Sequence, residues 1–376
     1  MDIAFIDLAA QQKRIKADLD ARIEAVLNHG HYIMGPEVAE LEAGLAAFCG
    51  SKYALGCANG TDALQLALMA LGVGKGDAVF CPSFTFAATA EIVPPTGAIP
   101  IFVDVCEDSY NLDVDSLERA IEYARSIKLR PACVIPVDLF GLPADYDAIE
   151  AVAKREGIAV IADSAQGFGA TYKGRTTGSI GDIATTSFFP AKPLGCYGDG
   201  GAIFTGNEDI CNLIQSYRVH GKGTDKYDNE RIGINSRLDT LQAAILLAKL
   251  SIYHEEIEAR QRVAQKYDDG LRDILHTPQV PEHSKSVWAQ YTIRAQTGPE
   301  RNKILQRLTA ADIPTVVYYP RPVHQQAAYR DFPTDPNGLP VSEKLAGEVF
   351  SLPMHPYLES ELQDQIIDTV VRSARS

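Results

Sequence analysis

The chain has 376 residues, 46% of them hydrophobic and 22% charged, with a formal net charge of −14. That length suits two domains, and the composition is that of a globular protein, excluding a disordered or fibrous one. Acidic residues spread along the whole chain exclude the clustered basic surface that a nucleic-acid partner needs.

Seven cysteines without Cys-x-x-Cys spacing predict reduced, mostly buried thiols, and no histidine pair with a nearby acid marks a metal site. No apolar run reaches membrane-spanning length and no signal pattern is visible, so a cytoplasmic protein without a membrane partner is expected.

In chain order, residues 11–28 place Ile15, Leu19, Ile23, Val26 and Leu27 on one helical face. Pro36 then opens a second helix carrying Val38, Leu41, Leu45 and Phe48. From there short apolar strands alternate with helices. Strands are predicted at 53–58, 78–81, 99–103, 132–137 and 158–162, and helices at 62–71, 85–92, 114–124 and 144–156. This alternation is the pattern of a mostly parallel sheet covered on both faces, an α/β domain. Two more strands, 183–187 and 202–205, bracket an irregular stretch and place it at an edge of the sheet core. A helix follows at 208–218, and one long helix over 238–267 reads as a bridge between domains. The intervening 220–236 has little apolar periodicity and reads as a binding loop. Beyond it come a strand at 287–294, a helix at 300–311, a strand near 315–318 and helices at 343–349 and 359–371. The expected division is a large α/β domain over 1–250 and a smaller α+β domain over 251–376.

Residues 187–201, Ser-Phe-Phe-Pro-Ala-Lys-Pro-Leu-Gly-Cys-Tyr-Gly-Asp-Gly-Gly, hold Lys192 in a setting where neither a helix nor a regular strand should cross. By itself the stretch reads either as a surface loop with an ordinary solvated lysine or as the seat of a partly desolvated amine, which loses its charge readily and becomes a nucleophile for carbonyl carbons. In an open α/β sheet, ligands sit beyond the carboxyl ends of the strands. After the first strand comes Asn59-Gly60-Thr61-Asp62 opening a helix, which reads either as a phosphate seat or as an N-cap by Thr61 or Asp62. After 158–162 comes Asp163-Ser164-Ala165-Gln166, where an acid is placed to hold a heteroaromatic nitrogen protonated or to cap a turn. Phe84 and Phe86 offer faces for stacking or for the core, and Ser187 offers a hydroxyl.

Taken together, the Phe5-Ile6-Asp7-Leu8, Gly35-Pro36, Asn59-Gly60-Thr61, Asp163-Ser164-Ala165-Gln166, 187–201, Asn235-Ser236-Arg237, Tyr319-Pro320 and His324 segments resemble the DegT-type family of pyridoxal-phosphate-dependent sugar aminotransferases over essentially the whole chain. Residues 57–65 and 235–246 are most similar to members that aminate UDP-2-acetamido-2-deoxy-3-oxo-glucuronate for surface polysaccharides such as O-antigen and lipopolysaccharide.

The resemblance implies the type I, aspartate-aminotransferase-like fold and pyridoxal 5'-phosphate (PLP) cycling through its amino form, PMP. L-glutamate would be the donor, a UDP-linked keto sugar the acceptor, and active sites would lie at the interface of a homodimer. It implies Lys192 as the cofactor-bonding, proton-moving lysine, Asp163 as partner of the ring nitrogen and Gln166 as donor to the ring hydroxyl. Gly60, Thr61, Asp62 and Ser187 would hold the phosphate, Phe86 would stack on the ring, and Asn235 would reach the neighbouring subunit's cofactor phosphate. For the sugar, Arg237, Arg231, Arg321, His220, Tyr319 and His324 are the candidates. Phe86 and Ser164 depart from the residues common in the family at their positions. Alternative readings are a 4-oxo or dTDP-linked 3-oxo acceptor, a PMP-dependent dehydratase, against which Lys192 stands, and a PLP-binding regulator.

Overall fold

The computed structural model describes residues 3–225 and 227–375. Its strands, in chain order, are Tyr53–Cys57 (β1), Asp77–Pro82 (β2), Ile99–Val103 (β3), Arg130–Val134 (β4), Ala159–Asp163 (β5) and Thr171–Tyr172 (β6). They continue with Arg175–Thr176 (β7), Ile183–Ser187 (β8), Gly201–Thr205 (β9), Ser284–Lys285 (β10), Tyr291–Arg294 (β11) and Val349–Leu352 (β12).

Seven of them form one sheet in the order β1-β9-β8-β5-β4-β2-β3. Pairings from β3 through β2, β4 and β5 to β8 are parallel, whereas β8–β9 and β9–β1 are antiparallel. The strand residues alternate between two cores, as period-two geometry requires. Ala78 and Phe80 enter a cluster with Val38, Leu41, Leu117 and Ile149. Val79 and Cys81 join Leu64, Leu68 and Ile214 on the other face. Helices therefore cover both faces, and the strands between them are mostly buried, with the start of β4 at Arg130 exposed.

A third core gathers Tyr267, Tyr291, Ile304, Phe350 and Ile366 around the β11–β12 pair, and Ile3 joins it from the start of the chain. Six of the seven free cysteines are buried. No described helix is long and apolar enough to cross a membrane.

Several expectations change. β8 and β9 are interior neighbours, because β1 adds itself antiparallel to β9 and takes the edge. The expected helix over 85–92 is only Ala88–Glu91. The long helix over 238–267 is two helices, Thr240–Leu250 and Tyr253–Leu271. At the break Ser251 Oγ donates to the Ala248 carbonyl at 2.7 Å, the local side-chain competition that disfavours serine inside helices. The strand expected near 315–318 is a single bridge from Val316 to Ser351, and only Tyr291–Arg294 of the 287–294 segment is strand. The short β6–β7 hairpin, paired with β10, carries too few residues for a periodic signal.

His355, 3% exposed, sits in this third region. Burial first, and then the Arg260 guanidinium, push it down to about 4 from 6.5, with Asp7 pulling the other way. Its folded state holds fewer protons than the unfolded chain between those values, so stability is full above pH 6.5 and falls as the pH drops toward 4. The window corresponds to about 3 kcal/mol. His355→Leu is therefore expected to flatten the loss of urea stability between pH 6.5 and pH 4.5; an unchanged slope would assign the acid sensitivity elsewhere.

Candidate active site

The carboxyl ends of β1, β2, β5 and β8 converge on a cavity of about 850 Å³. Lys192, Asp163, Gln166, Asn59, Gly60, Thr61, Asp62, Phe86, Ser187 and Tyr319 all line it. The structure thus brings together residues 260 positions apart in the chain (319 − 59).

One end of the cavity is a helix start. Asn59 caps Gly60–Ala70, its side chain accepting from the Asp62 N–H at 2.8 Å. The cap is Asn59 and not Thr61 or Asp62, which leaves the Gly60 and Thr61 N–H groups without intrahelical partners at the positive end of the helix. Glycine is required here on steric grounds. A Cβ on Gly60 would stand 2.7 Å from Ser187 Cβ, and one on Gly201 would stand 2.5 Å from the Asn59 carbonyl oxygen. Ser187, from the end of β8, is thereby packed close beside Gly60 at the helix start.

At the other end lies Asp163, 5% exposed. Its carboxylate accepts from Thr89 Oγ1 at 3.0 Å and from the Ala165 N–H at 3.2 Å. Burial pushes its pKa up, opposed by those two donors and by the charge of Lys192. Thr89 carried no sequence signal, since it acts through a fold contact with a strand end 74 residues away.

Lys192 occupies a fold-back between β8 and β9. The Phe188 N–H donates to the Gly200 carbonyl, the Cys196 N–H to Phe188 and the Lys192 N–H to Phe189, at 2.7, 2.7 and 2.8 Å. From behind, the buried Lys249 donates to the Gly195 carbonyl at 2.6 Å and lies over the Tyr197 ring. Burial lowers the Lys192 pKa, and Asp163 opposes the shift. The amine therefore has a larger neutral fraction than a surface lysine at the same pH.

Gln166 is already engaged. Its Oε1 accepts from the Phe140 N–H at 2.7 Å and its Nε2 donates to Tyr319 Oη at 3.0 Å, leaving one N–H free. Under the same turn, Ser164 Oγ donates to Asp138 at 2.6 Å. Asp138, which also accepts from Tyr146 and the Ala144 N–H, is pushed up to about 7 by burial. Phe86 is 58% exposed at the cavity wall.

The remaining sequence candidates divide. Asn235 and Arg237 line an adjoining pocket of about 530 Å³ that shares Asp199 with the Lys192 cavity. Arg231 lies farther off, bonded to Glu230 and Ser216, and His220 shares a surface pocket with it. His324 is outside the cavity lining; its ring meets Ser83 Oγ at 2.6 Å and Glu343 at 3.2 Å. Arg321 is exposed. Tyr318, Gln290 and Gln326 line the cavity without having been marked by any motif, and Phe189 and Asp199 join them from the 187–201 stretch.

The comparisons with known proteins agree with this geometry. The family model described as the DegT/DnrJ/EryC1/StrS aminotransferase family matches residues 13–371. The chain is 52% identical over 359 residues to the UDP-2-acetamido-2-deoxy-3-oxo-D-glucuronate aminotransferase of Pseudomonas aeruginosa, covering 95% of this chain and 96% of that one. It superposes at a TM-score of 0.97 and 50% identity on a DegT DnrJ EryC1 StrS aminotransferase from Brucella abortus, with 100% of both chains covered. A Bacillus subtilis structure solved with bound cofactor PMP matches at a TM-score of 0.88 and 28% identity, covering 99% of this chain and 83% of that one. The chain belongs to the DegT/DnrJ/EryC1/StrS aminotransferase family.

Proposed function

We propose that this aminotransferase uses PLP, cycling through PMP, to move an amino group from L-glutamate to the keto group of a nucleotide-linked sugar, with UDP-2-acetamido-2-deoxy-3-oxo-glucuronate as the acceptor for surface polysaccharide synthesis. The observation that carries the reading is one cavity with the Lys192 amine and the buried Asp163 carboxylate at one end and a free helix N-terminus beside Ser187 at the other. Two relatives support the sugar class, the Pseudomonas enzyme above and a UDP-N-acetyl-3-dehydro-alpha-D-glucosamine 3-aminotransferase 39% identical over 98% of this chain.

The residues fit the cofactor. Asp163 is a buried carboxylate whose partners are neutral donors apart from Lys192, as a protonated ring nitrogen requires. Gly60 leaves room where a Cβ would meet Ser187, so a phosphate can approach the N–H groups. Gly60, Thr61, Asp62 and Ser187 would hold that phosphate, Phe86 would cover the ring face, and the free N–H of Gln166 would meet the ring hydroxyl. When bound, PLP supplies the electron-withdrawing cationic ring that acidifies the donor's α-carbon.

The chain's own work is then proton transfer and positioning. Lys192 Nζ, with its pKa lowered by burial, would carry a proton between the reacting carbon and the cofactor within each half-reaction, away from the donor's α-carbon in the first and onto the acceptor carbon in the second. Asp163 would face the ring nitrogen, and the Thr89 and Ala165 donors fix its plane. We place the cofactor-bearing domain at 1–250 and the smaller one at 251–376, the boundary falling at the break after Leu250. In a cytoplasmic homodimer, Asn235 and Arg237 of one subunit would complete the other's site, Asn235 at the cofactor phosphate and Arg237 at a substrate anion.

Three outcomes are expected. Borohydride should fix PLP to wild-type protein and bleach its visible band, whereas Lys192→Ala should lose that labelling and at least about 10³-fold in turnover; wild-type turnover in K192A would end the proposal. Arg237→Ala should raise the sugar KM about tenfold or more with a smaller change in the glutamate half-reaction. Mixing inactive K192A with Arg237→Ala protein at a sugar concentration well below the raised KM should bring activity above that of either variant alone, up to about a quarter of wild type, through hybrid dimers if the sites are shared; no gain would mean that each chain completes its own site.

A further inference from the structure

We infer that Gln290 is a specificity-determining residue, whose side-chain amide bonds a neutral hydroxyl or acetamido group of the amino-acceptor sugar. The inference rests on the sugar aminotransferase reading and deepens it. Gln290 lies immediately before β11, where alternation sends Tyr291 and Ile293 into the third core and turns Gln290 and Thr292 to the opposite side. That side is the wall between the Lys192 cavity and a second, small cavity lined by Tyr110, Phe140, Trp288 and Thr292; Gln290 lines both.

Its amide oxygen is unengaged. Gln290 Oε1 is buried without a hydrogen-bond partner among the described residues, and the residue's backbone N–H donates to the Phe140 carbonyl at 3.4 Å. Gln166, by contrast, is tied on both sides by Phe140 and Tyr319. A buried amide oxygen left unsatisfied costs about 1–3 kcal/mol, so it calls for a water or a ligand donor, and in a wall of the Lys192 cavity a ligand group can supply that donor. An amide both donates and accepts but carries no charge. It therefore suits a hydroxyl or an acetamido group and not a carboxylate or phosphate, for which arginine is the better partner. The ring substituents of an N-acetylated sugar are the groups of this kind that enter the cavity with the reacting carbon.

The test is a cycle between residue and substrate, run from PLP-form enzyme with stable UDP-linked 3-amino uronates: the parent, an analogue lacking the acetamido carbonyl and one lacking the 4-hydroxyl. Wild-type protein should prefer the parent over one analogue by about tenfold in kcat/KM, the worth of one neutral hydrogen bond. In Gln290→Leu that preference should collapse to within about twofold, with the glutamate half-reaction, followed as loss of the PLP band, slowed less than the sugar half-reaction. Should Q290L not fold, Gln290→Asn, which withdraws the amide by one methylene, must show the same collapse. If the variant keeps the wild-type preference, or if wild-type protein does not discriminate either analogue, the inference is overturned. Wild-type protein that aminates no keto sugar, seen before any variant is made, would instead refute the functional reading on which it rests.

Discussion

Burial acts in opposite directions on two charges that face each other in one cavity. It lowers the pKa of Lys192 and raises that of Asp163, and each side chain's charge opposes the shift of the other. Neither group would be held inside alone, since an uncompensated buried charge is strongly disfavoured. The sheet, the fold-back loop and the helix start are arranged so that both are held there. Parallel pairing from β5 to β8 puts Asp163 and Ser187 at the same edge. The antiparallel return through β9 then brings the chain back against Asn59, so the lysine loop is clamped at both of its ends.

The same arrangement shows why the first half of the site is legible in sequence and the second is not. Lys192 stands among prolines and glycines that no regular element tolerates, Asp163 ends an apolar strand, and Asn59-Gly60 opens a helix; each leaves a local trace. Thr89, Tyr318 and Gln290 leave none, because each reaches the cavity only through a long-range packing contact. The strand alternation was readable because both faces of the sheet are largely buried, which makes most of its strands apolar. The break after Leu250 was not readable, since Thr240–Leu250 and Tyr253–Leu271 carry one continuous apolar periodicity and only Ser251 interrupts it. Likewise His324 looks like a ligand by position but spends its ring on Ser83 and Glu343.

Arginine placement follows from charge economy. In a chain of net charge −14 most arginines already have a carboxylate. Arg119 with Asp335, Arg130 with Asp77 and Arg218 with Glu42 are such pairs. Arg231 falls in the same class through Glu230. Arg237, by contrast, lines a pocket next to the cavity with Asn235, where an incoming anion can approach it.

The steric closure at Gly60 and Gly201 divides the cavity into parts with different freedom to vary. Around the helix start there is no space for even a methyl group, and backbone forms the obstacle at Gly201. Across the cavity, Phe86 is largely exposed and the Gln290 amide oxygen has no hydrogen-bond partner among the described residues. One wall is therefore fixed by the backbone, while the facing wall can exchange residues at little cost to folding. A lineage of such proteins can change the sugar it accepts without disturbing the machinery that moves the nitrogen.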